Sequence, residues 1–255
     1  MEQKNKFPRK ERTDIIFGVH AVIEAIRAER ELNKIMILKG MEKEHFLQIK
    51  EALKGKNFPL QFVPIQKLDT LTSSVHQGVV AFVTPIEYQE IETLAEKLLE
   101  EGIKPNIVVL DRVTDVRNFG AIARTAECQG VHAILIPSKG SALVTSDAMK
   151  ASAGALNRIP VCKTNDLKNS LFYLQQLGIR IVACTEKTAH LVHEVNLRGS
   201  VATIFGSEEN GITQDLINMS DIQAKIPMRG NISSLNVGVA AGMVLYEKTR
   251  QDLYA

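Results

Sequence analysis

Three polar stretches hold the side chains that could do chemistry. The first, Asp111–Val131, carries Asn118 and Arg124; the second, Ile204–Thr213, carries Gly206 and Glu208; the third, Ile226–Glu247, carries Ser234, Leu235 and Asn236. Ser233, Ser234 and Asn236 are helix N-cap types between a strand end at Ile226 and a run of small and apolar residues. That turn delivers free backbone N–H groups at a helix start, where a polar ligand can be held. Gly238 and Gly242 share one helix face and admit another backbone or a flat ligand. The second stretch puts a glycine-rich, acidic turn at the carboxyl end of a β-branched run. In the first, Phe119, Ile122, Ala123 and Ala126 form the apolar stripe of a helix, which leaves Arg124, in line with Arg117, facing away from the core. Arginine is a poor resting base; it can orient an oxygen or stabilise charge developing on it. Each stretch taken alone also fits an ordinary strand–loop–helix junction, with the arginine merely solvated.

Together and in this order, the three stretches resemble the motifs of the SpoU/TrmH family of 2′-O-ribose RNA methyltransferases, over roughly residues 105–250 and closest to the 23S rRNA guanosine-2′-O-methyltransferase branch. The resemblance implies S-adenosylmethionine as methyl donor and a deep trefoil knot in the C-terminal domain, which the periodicity of the sequence does not reveal. It places catalytic roles on Arg124 and Asn118, with Asn236 and Ser234 lining the catalytic side. It places main-chain contacts to the donor at Gly206, Ile226 and Leu235, with Glu208 shaping its loop. It also implies a homodimer through the C-terminal domain, for which the small-residue helix from Val237 to Val244 offers a close-packing surface. Three positions depart from the family pattern: Val116 replaces a common proline, Glu209 a glycine and Gly238 a frequent serine. Gly238 is therefore left out of the expected site.

The elements that must position these residues follow from pattern and length. With 255 residues, 45% of them hydrophobic, the chain can bury a full core in one or two domains. Alternating strand and helix patterns from 107 to 226 predict a mostly parallel sheet with helices on both faces and ligands at the carboxyl ends of the strands. Strands are expected at 107–110, 133–136, 179–183, 201–205 and 222–226; helices at 118–129 and 166–177, each stopped by glycine, and near 146–156. Ahead of this, a helix within 15–26, a strand at 34–38, a helix at 43–53 and strands at 60–63 and 75–83 make a compact α/β module, which resembles the RNA-binding N-terminal domain of part of the same family. The expected organisation is thus a basic arm over 1–13, an RNA substrate-binding domain over 14–85, a linker over 86–104 that becomes a helix, and the knotted methyltransferase domain over 105–255.

Composition narrows the function classes. A net charge of +2 gives no global basic field, so RNA must be held by local patches. The arm, with Lys4, Lys6, Arg9, Lys10 and Arg12, is either an RNA-touching segment or a solvated terminus. The absence of tryptophan argues against binding single strands mainly by stacking. Three dispersed cysteines predict neither disulfides nor zinc and fit a reducing cytoplasm; His190 and His193 lack a third ligand, so no metal is expected. No phosphate loop or dinucleotide fingerprint is present, and no apolar run reaches membrane-spanning length. The leading expectation is 2′-O-methylation of a ribose in structured RNA, a guanosine of 23S rRNA first. The alternatives are a tRNA 2′-O-methyltransferase and a catalytically silent ribosome-assembly factor that binds RNA.

Overall fold

The computed structural model describes residues 14–56, 58–232 and 234–254, so the basic arm and Ser233 lie outside the described residues. The chain divides into two compact units between Pro85 and Ile86.

In the first unit, β1 (Ile15–Phe17), α1 (Val19–Arg27), β2 (Leu32–Leu38), α2 (Lys43–Ala52), β3 (Leu60–Val63), α3 (Ile65–Asp69) and β4 (Val79–Val83) build a four-stranded sheet in the order β1-β4-β2-β3. β4 runs antiparallel to β1 and β2, and β3 parallel to β2. Val19, Val22, Ile23 and Ile26 form the buried stripe of α1. The apolar residues just before that stripe belong to a strand instead, because Gly18 at φ 89° breaks the chain between β1 and α1. The expected strand at 75–83 is likewise shortened. Gln77 (φ 50°) and Gly78 (φ 79°) are left-handed, which turns residues 75–78 out of the ladder before β4 starts.

The second unit follows with β5 (Tyr88–Gln89), α4 (Ile91–Glu100), β6 (Asn106–Asp111), α5 (Val116–Cys128), β7 (Ala133–Pro137), α6 (Ser146–Ala151), β8 (Val161–Thr164), α7 (Leu167–Gln176), β9 (Arg180–Cys184), β10 (Val201–Gly206), α8 (Gln214–Met219), β11 (Ile222–Ala224) and α9 (Val237–Leu253). Seven parallel strands stand in the order β11-β9-β10-β6-β7-β8-β5. Residues 86–104 hold the expected helix as α4, and they cluster with the second unit. β5 closes one edge of the sheet against β8, and α4 packs on α7 with Ile91 and Ala95 buried beside Leu171 and Leu174. Alternate residues of β6 face opposite layers: Val108 and Leu110 meet α5 and α9, whereas Ile107 and Val109 meet α4, α7 and α8. Phe119 is fully buried in the first of these layers, and its truncation to alanine would cost about 3–5 kcal/mol. From β6 the chain steps outward through β7 and β8, then crosses to β9 and returns in β10, so β6 and β10 lie side by side at the point where strand order reverses. A crevice opens at the carboxyl ends of such a pair.

Candidate active site

All three polar stretches emerge into that crevice. β6 ends in Asp111, Arg112 turns the chain in a left-handed conformation (φ 59°), and Asp115 caps α5 by accepting from Arg117 N (2.7 Å) and Asn118 N (2.9 Å). The cap fixes Asn118 in the first turn of the helix. β10 ends in Gly206, where an added Cβ would fall 2.0 Å from the carbonyl carbon of Gly211. Only glycine lets the 206–211 loop fold back so closely, with Gly211 N donating to Ser207 O (2.9 Å) and Asn210 N to Ser207 Oγ (3.1 Å). Asn236 caps α9, its Oδ1 accepting from Gly238 N (3.0 Å) and Val239 N (3.3 Å).

That cap determines the orientation of everything around it. With Oδ1 committed, Asn236 Nδ2 donates to Asn118 Oδ1 (2.9 Å) and to Glu208 Oε1 (2.7 Å), and Asn118 Nδ2 donates to the same Glu208 oxygen (2.9 Å). Asn118, Glu208 and Asn236 thus close a hydrogen-bonded ring. Two hollows flank it. One, of about 410 Å³, is lined by Gly206, Glu208, Ile226, Ser234, Leu235 and Val237 among others. The other, of about 430 Å³, is lined by Arg112, Asp115, Asn118, Gly140 and again Glu208 and Val237. Both sizes suit small-molecule sites. Cys184 also lines the first hollow, and burial pushes its thiol pKa up, so it stays uncharged at neutral pH.

Arg124 stands apart from this ring. It lies six residues after Asn118, roughly 9 Å along the helix, is exposed, and has no hydrogen bond or ion pair among the described residues. Arg117, Ala121 and Cys128 are exposed as well, so α5 does turn that face outward. Gly238 and Gly242 serve packing: a Cβ at Gly238 would sit 3.7 Å from Ala121 Cβ and 3.2 Å from Asn236 Oδ1, and one at Gly242 would sit 3.7 Å from Thr125 Cγ2. The face of α9 that carries Gly238 and Gly242 therefore packs on α5 of the same chain.

Asp111 escaped the sequence reading. It is buried; its Oδ2 accepts from Thr213 N and Thr213 Oγ1, both at 2.6 Å, and its Oδ1 from Arg112 Nε (3.2 Å). Arg112 reaches on to Gly211 O (3.2 Å). The pair clasps the C-terminal end of the turn that carries Glu208. A carboxylate closing the apolar run Ile107–Leu110 was the available signal. Further along, the second half of α9 is tied to the 195–199 loop by Gln251, which accepts from Leu197 N (2.8 Å) and donates to Val195 O (3.0 Å), and by Lys248, which donates to Gly199 O (3.0 Å).

Residues 105–246 match the model of the SpoU rRNA methylase family, and residues 15–89 match that of the RNA 2′-O ribose methyltransferase substrate-binding domain. The chain belongs to the SpoU methylase family. Over 238 residues it is 34% identical to YacO of Bacillus subtilis (strain 168), a protein named for the TrmH family of tRNA/rRNA methyltransferases, covering 93% of this chain and 96% of that one. An AdoMet-bound rRNA methyltransferase from Sinorhizobium meliloti shares the fold at 22% identity, with a TM-score of 0.58 over 92% of this chain and 86% of its own. A TrmH/SpoU tRNA-modifying enzyme of A. aeolicus aligns with a TM-score of 0.54 at 27% identity, covering 62% of this chain and 83% of its own. The family makes this chain an RNA methyltransferase of the TrmH/SpoU type.

Proposed function

We propose that the chain transfers a methyl group from S-adenosylmethionine to the 2′-hydroxyl of a ribose in structured RNA, a guanosine of 23S rRNA being the first candidate. The observation that carries this reading is the ring of Asn118, Glu208 and Asn236 standing between two hollows. The residues present fit the donor. The first hollow offers the apolar walls of Ile226, Leu235 and Val237 and the bare backbone of Gly206. Bound there, S-adenosylmethionine supplies an activated methyl group. Gly206, Ile226 and Leu235 hold it through their main chains, Glu208 keeps its loop in shape, and Ser234 borders its catalytic end. The second hollow, on the Asn118 side, receives the ribose, and the ring keeps donor and acceptor in register, so positioning supplies most of the rate. Arg124, a guanidinium with no partner among the described residues, orients the attacking oxygen and stabilises charge on it while a substrate phosphate takes the proton.

Support for rRNA over tRNA comes from coverage. The A. aeolicus tRNA enzyme spans only 62% of this chain, whereas the S. meliloti rRNA enzyme spans 92%, which matches the presence of an N-terminal module. A homodimer belongs to the same proposal. Val239, Met243, Tyr246 and Leu253 leave an exposed apolar stripe at helical spacing along α9. The trefoil knot does too, and convergence of segments 118, 208 and 236 on one ring supports it. No helix of the described residues is long and apolar enough to cross a membrane. Free Cys128, Cys162 and Cys184 support a cytoplasmic setting.

The test is transfer of labelled methyl from S-adenosylmethionine to 23S rRNA and, separately, to bulk tRNA, with 2′-O-methyl positions mapped afterwards. Label in one rRNA guanosine is the expected result. Label in tRNA alone moves the substrate, and donor binding without transfer to either overturns the reading.

A further inference from the structure

The loop between α3 and β4 in the first unit has a construction that its length does not require. Gln77 holds a left-handed backbone (φ 50°), a strained state for a residue with a Cβ. Its side chain is committed, Oε1 accepting from Val19 N (3.0 Å) at the start of α1. Neighbouring Gly18 (φ 89°) has room for no more, since a Cβ there would meet Gln77 Oε1 at 3.3 Å. His76 is fixed from both ring nitrogens: Nδ1 accepts from Gly78 N (3.0 Å), and Nε2, which therefore carries the proton, donates to Asp69 Oδ1 (2.9 Å). The loop base is thus locked in place from three sides.

The tip does the opposite. Val75 is 83% exposed, a stiff apolar side chain held out in water, and Ile65 is 46% exposed. The hydroxyls of Ser73 and Ser74 have no hydrogen bond among the described residues, while Thr72 Oγ1 accepts from Ser74 N (3.1 Å). Between them lies a hollow of about 540 Å³, lined by Leu38, Ile65, Asp69, residues 72–77 and Gly78. A rigid floor, an apolar rim and free hydroxyls suit a flat ligand with a polar edge. An unpaired base offers that shape, and RNA recognition chiefly works on bases splayed out of loops and bulges. The substrate-binding family match spans residues 15–89 and so encloses the whole loop.

We infer that this hollow takes an unpaired nucleotide of the substrate RNA, its base against Val75 and Ile65 and its polar edge on Ser73 and Ser74. The inference rests on the proposed action on RNA and assigns a position to its grip. The full-length protein is irradiated with 23S rRNA transcripts carrying 4-thiouridine, and in a parallel arm with bulk tRNA transcripts, and crosslinked peptides are identified by mass. Crosslinks should fall within 72–77, and Val75→Glu should weaken RNA binding by about tenfold or more, since a carboxylate replaces the apolar contact and repels the RNA phosphates, with donor affinity unchanged. Ser73→Ala with Ser74→Ala, a change that spares the loop's anchors, guards against a folding effect and should weaken RNA binding in the same direction. If the wild-type protein methylates RNA, crosslinks only elsewhere and binds equally well as Val75→Glu, this inference falls and the proposed activity stands. If Val75→Glu is weakened only toward ribosomal particles and not toward naked RNA, the hollow meets a ribosomal protein and the inference is overturned. If the wild-type protein binds donor but no RNA in either arm, the proposed activity fails and this inference with it.

Discussion

Asn236 donates to Glu208 at 2.7 Å with the same side chain whose oxygen caps α9. One amide thereby couples the start of the last helix to the acidic turn after β10. Asn236→Asp keeps the capping oxygen and loses the donor, setting a carboxylate against Glu208. Methyl transfer in a single turnover should fall on the order of a hundredfold. Asn236→Ala should in addition cost about 1 kcal/mol of stability through the lost cap, read from melting curves.

Arg124 separates chemistry from stability. Being exposed, and unpaired among the described residues, it should tolerate Arg124→Ala within about 0.5 kcal/mol. Transfer should nevertheless slow roughly a hundredfold, and Arg124→Lys should rescue poorly because an ammonium lacks the planar fork. A folded Arg124→Ala protein that binds donor and methylates at the wild-type rate would move the role to Arg117.

Asp111→Ala leaves Thr213 N, Thr213 Oγ1 and the Arg112 guanidinium short of a buried acceptor. A loss of about 1–3 kcal/mol is expected, from the unsatisfied partners alone. Donor affinity, measured by calorimetry below the melting range, should fall as well, since the clasp holds the turn that carries Glu208. Unchanged donor affinity would restrict Asp111 to stability.

Acid should weaken the second unit in two stages. Burial, reinforced by nearby Lys248, holds His132 below its usual pKa. A lowered folded-state value means its stabilising share is whole above about 6.5 and is lost as pH falls through that value. Glu247 is held down to about 2, chiefly by the Arg250 guanidinium, with Gln251 and His193 assisting against burial. Its share is whole above about 4.3 and is lost as pH falls from there toward the folded value. Melting temperature against pH should therefore bend twice, and Glu247→Gln should remove the lower bend while His132→Gln removes the upper one.

Light scattering should return about twice the 28.2 kDa chain mass if α9 pairs with a second copy. Tyr246→Glu, which puts charge into the stripe of Val239, Met243 and Leu253, should return the single-chain mass.

The candidate site was legible only through the resemblance of the three ordered stretches to a known family, since each stretch alone also fits an ordinary strand–loop–helix junction. Arg124's outward direction followed from the 3.6-residue period of Phe119, Ile122 and Ala123. What periodicity could not supply was long-range. Nothing local says that Asn118 meets Glu208 ninety residues on, or that one oxygen serves both asparagines. The short strands β5 and β8 were missed because two and four residues carry too little pattern to separate them from loop. Gly238 and Gly242 announced the close approach of a backbone or a flat ligand without naming α5 as the neighbour.

The order of synthesis gives the ring a further meaning. Asn236 follows Asn118 by 118 residues and Glu208 by 28, so the first two members of the ring leave a ribosome well before the third. Everything up to β11 can collapse as it emerges, since domains fold as units from the N-terminus during translation. Such a nascent chain has Asn118 and Glu208 but no Asn236 to join them. The ring therefore closes only once α9 has been made and has packed on α5.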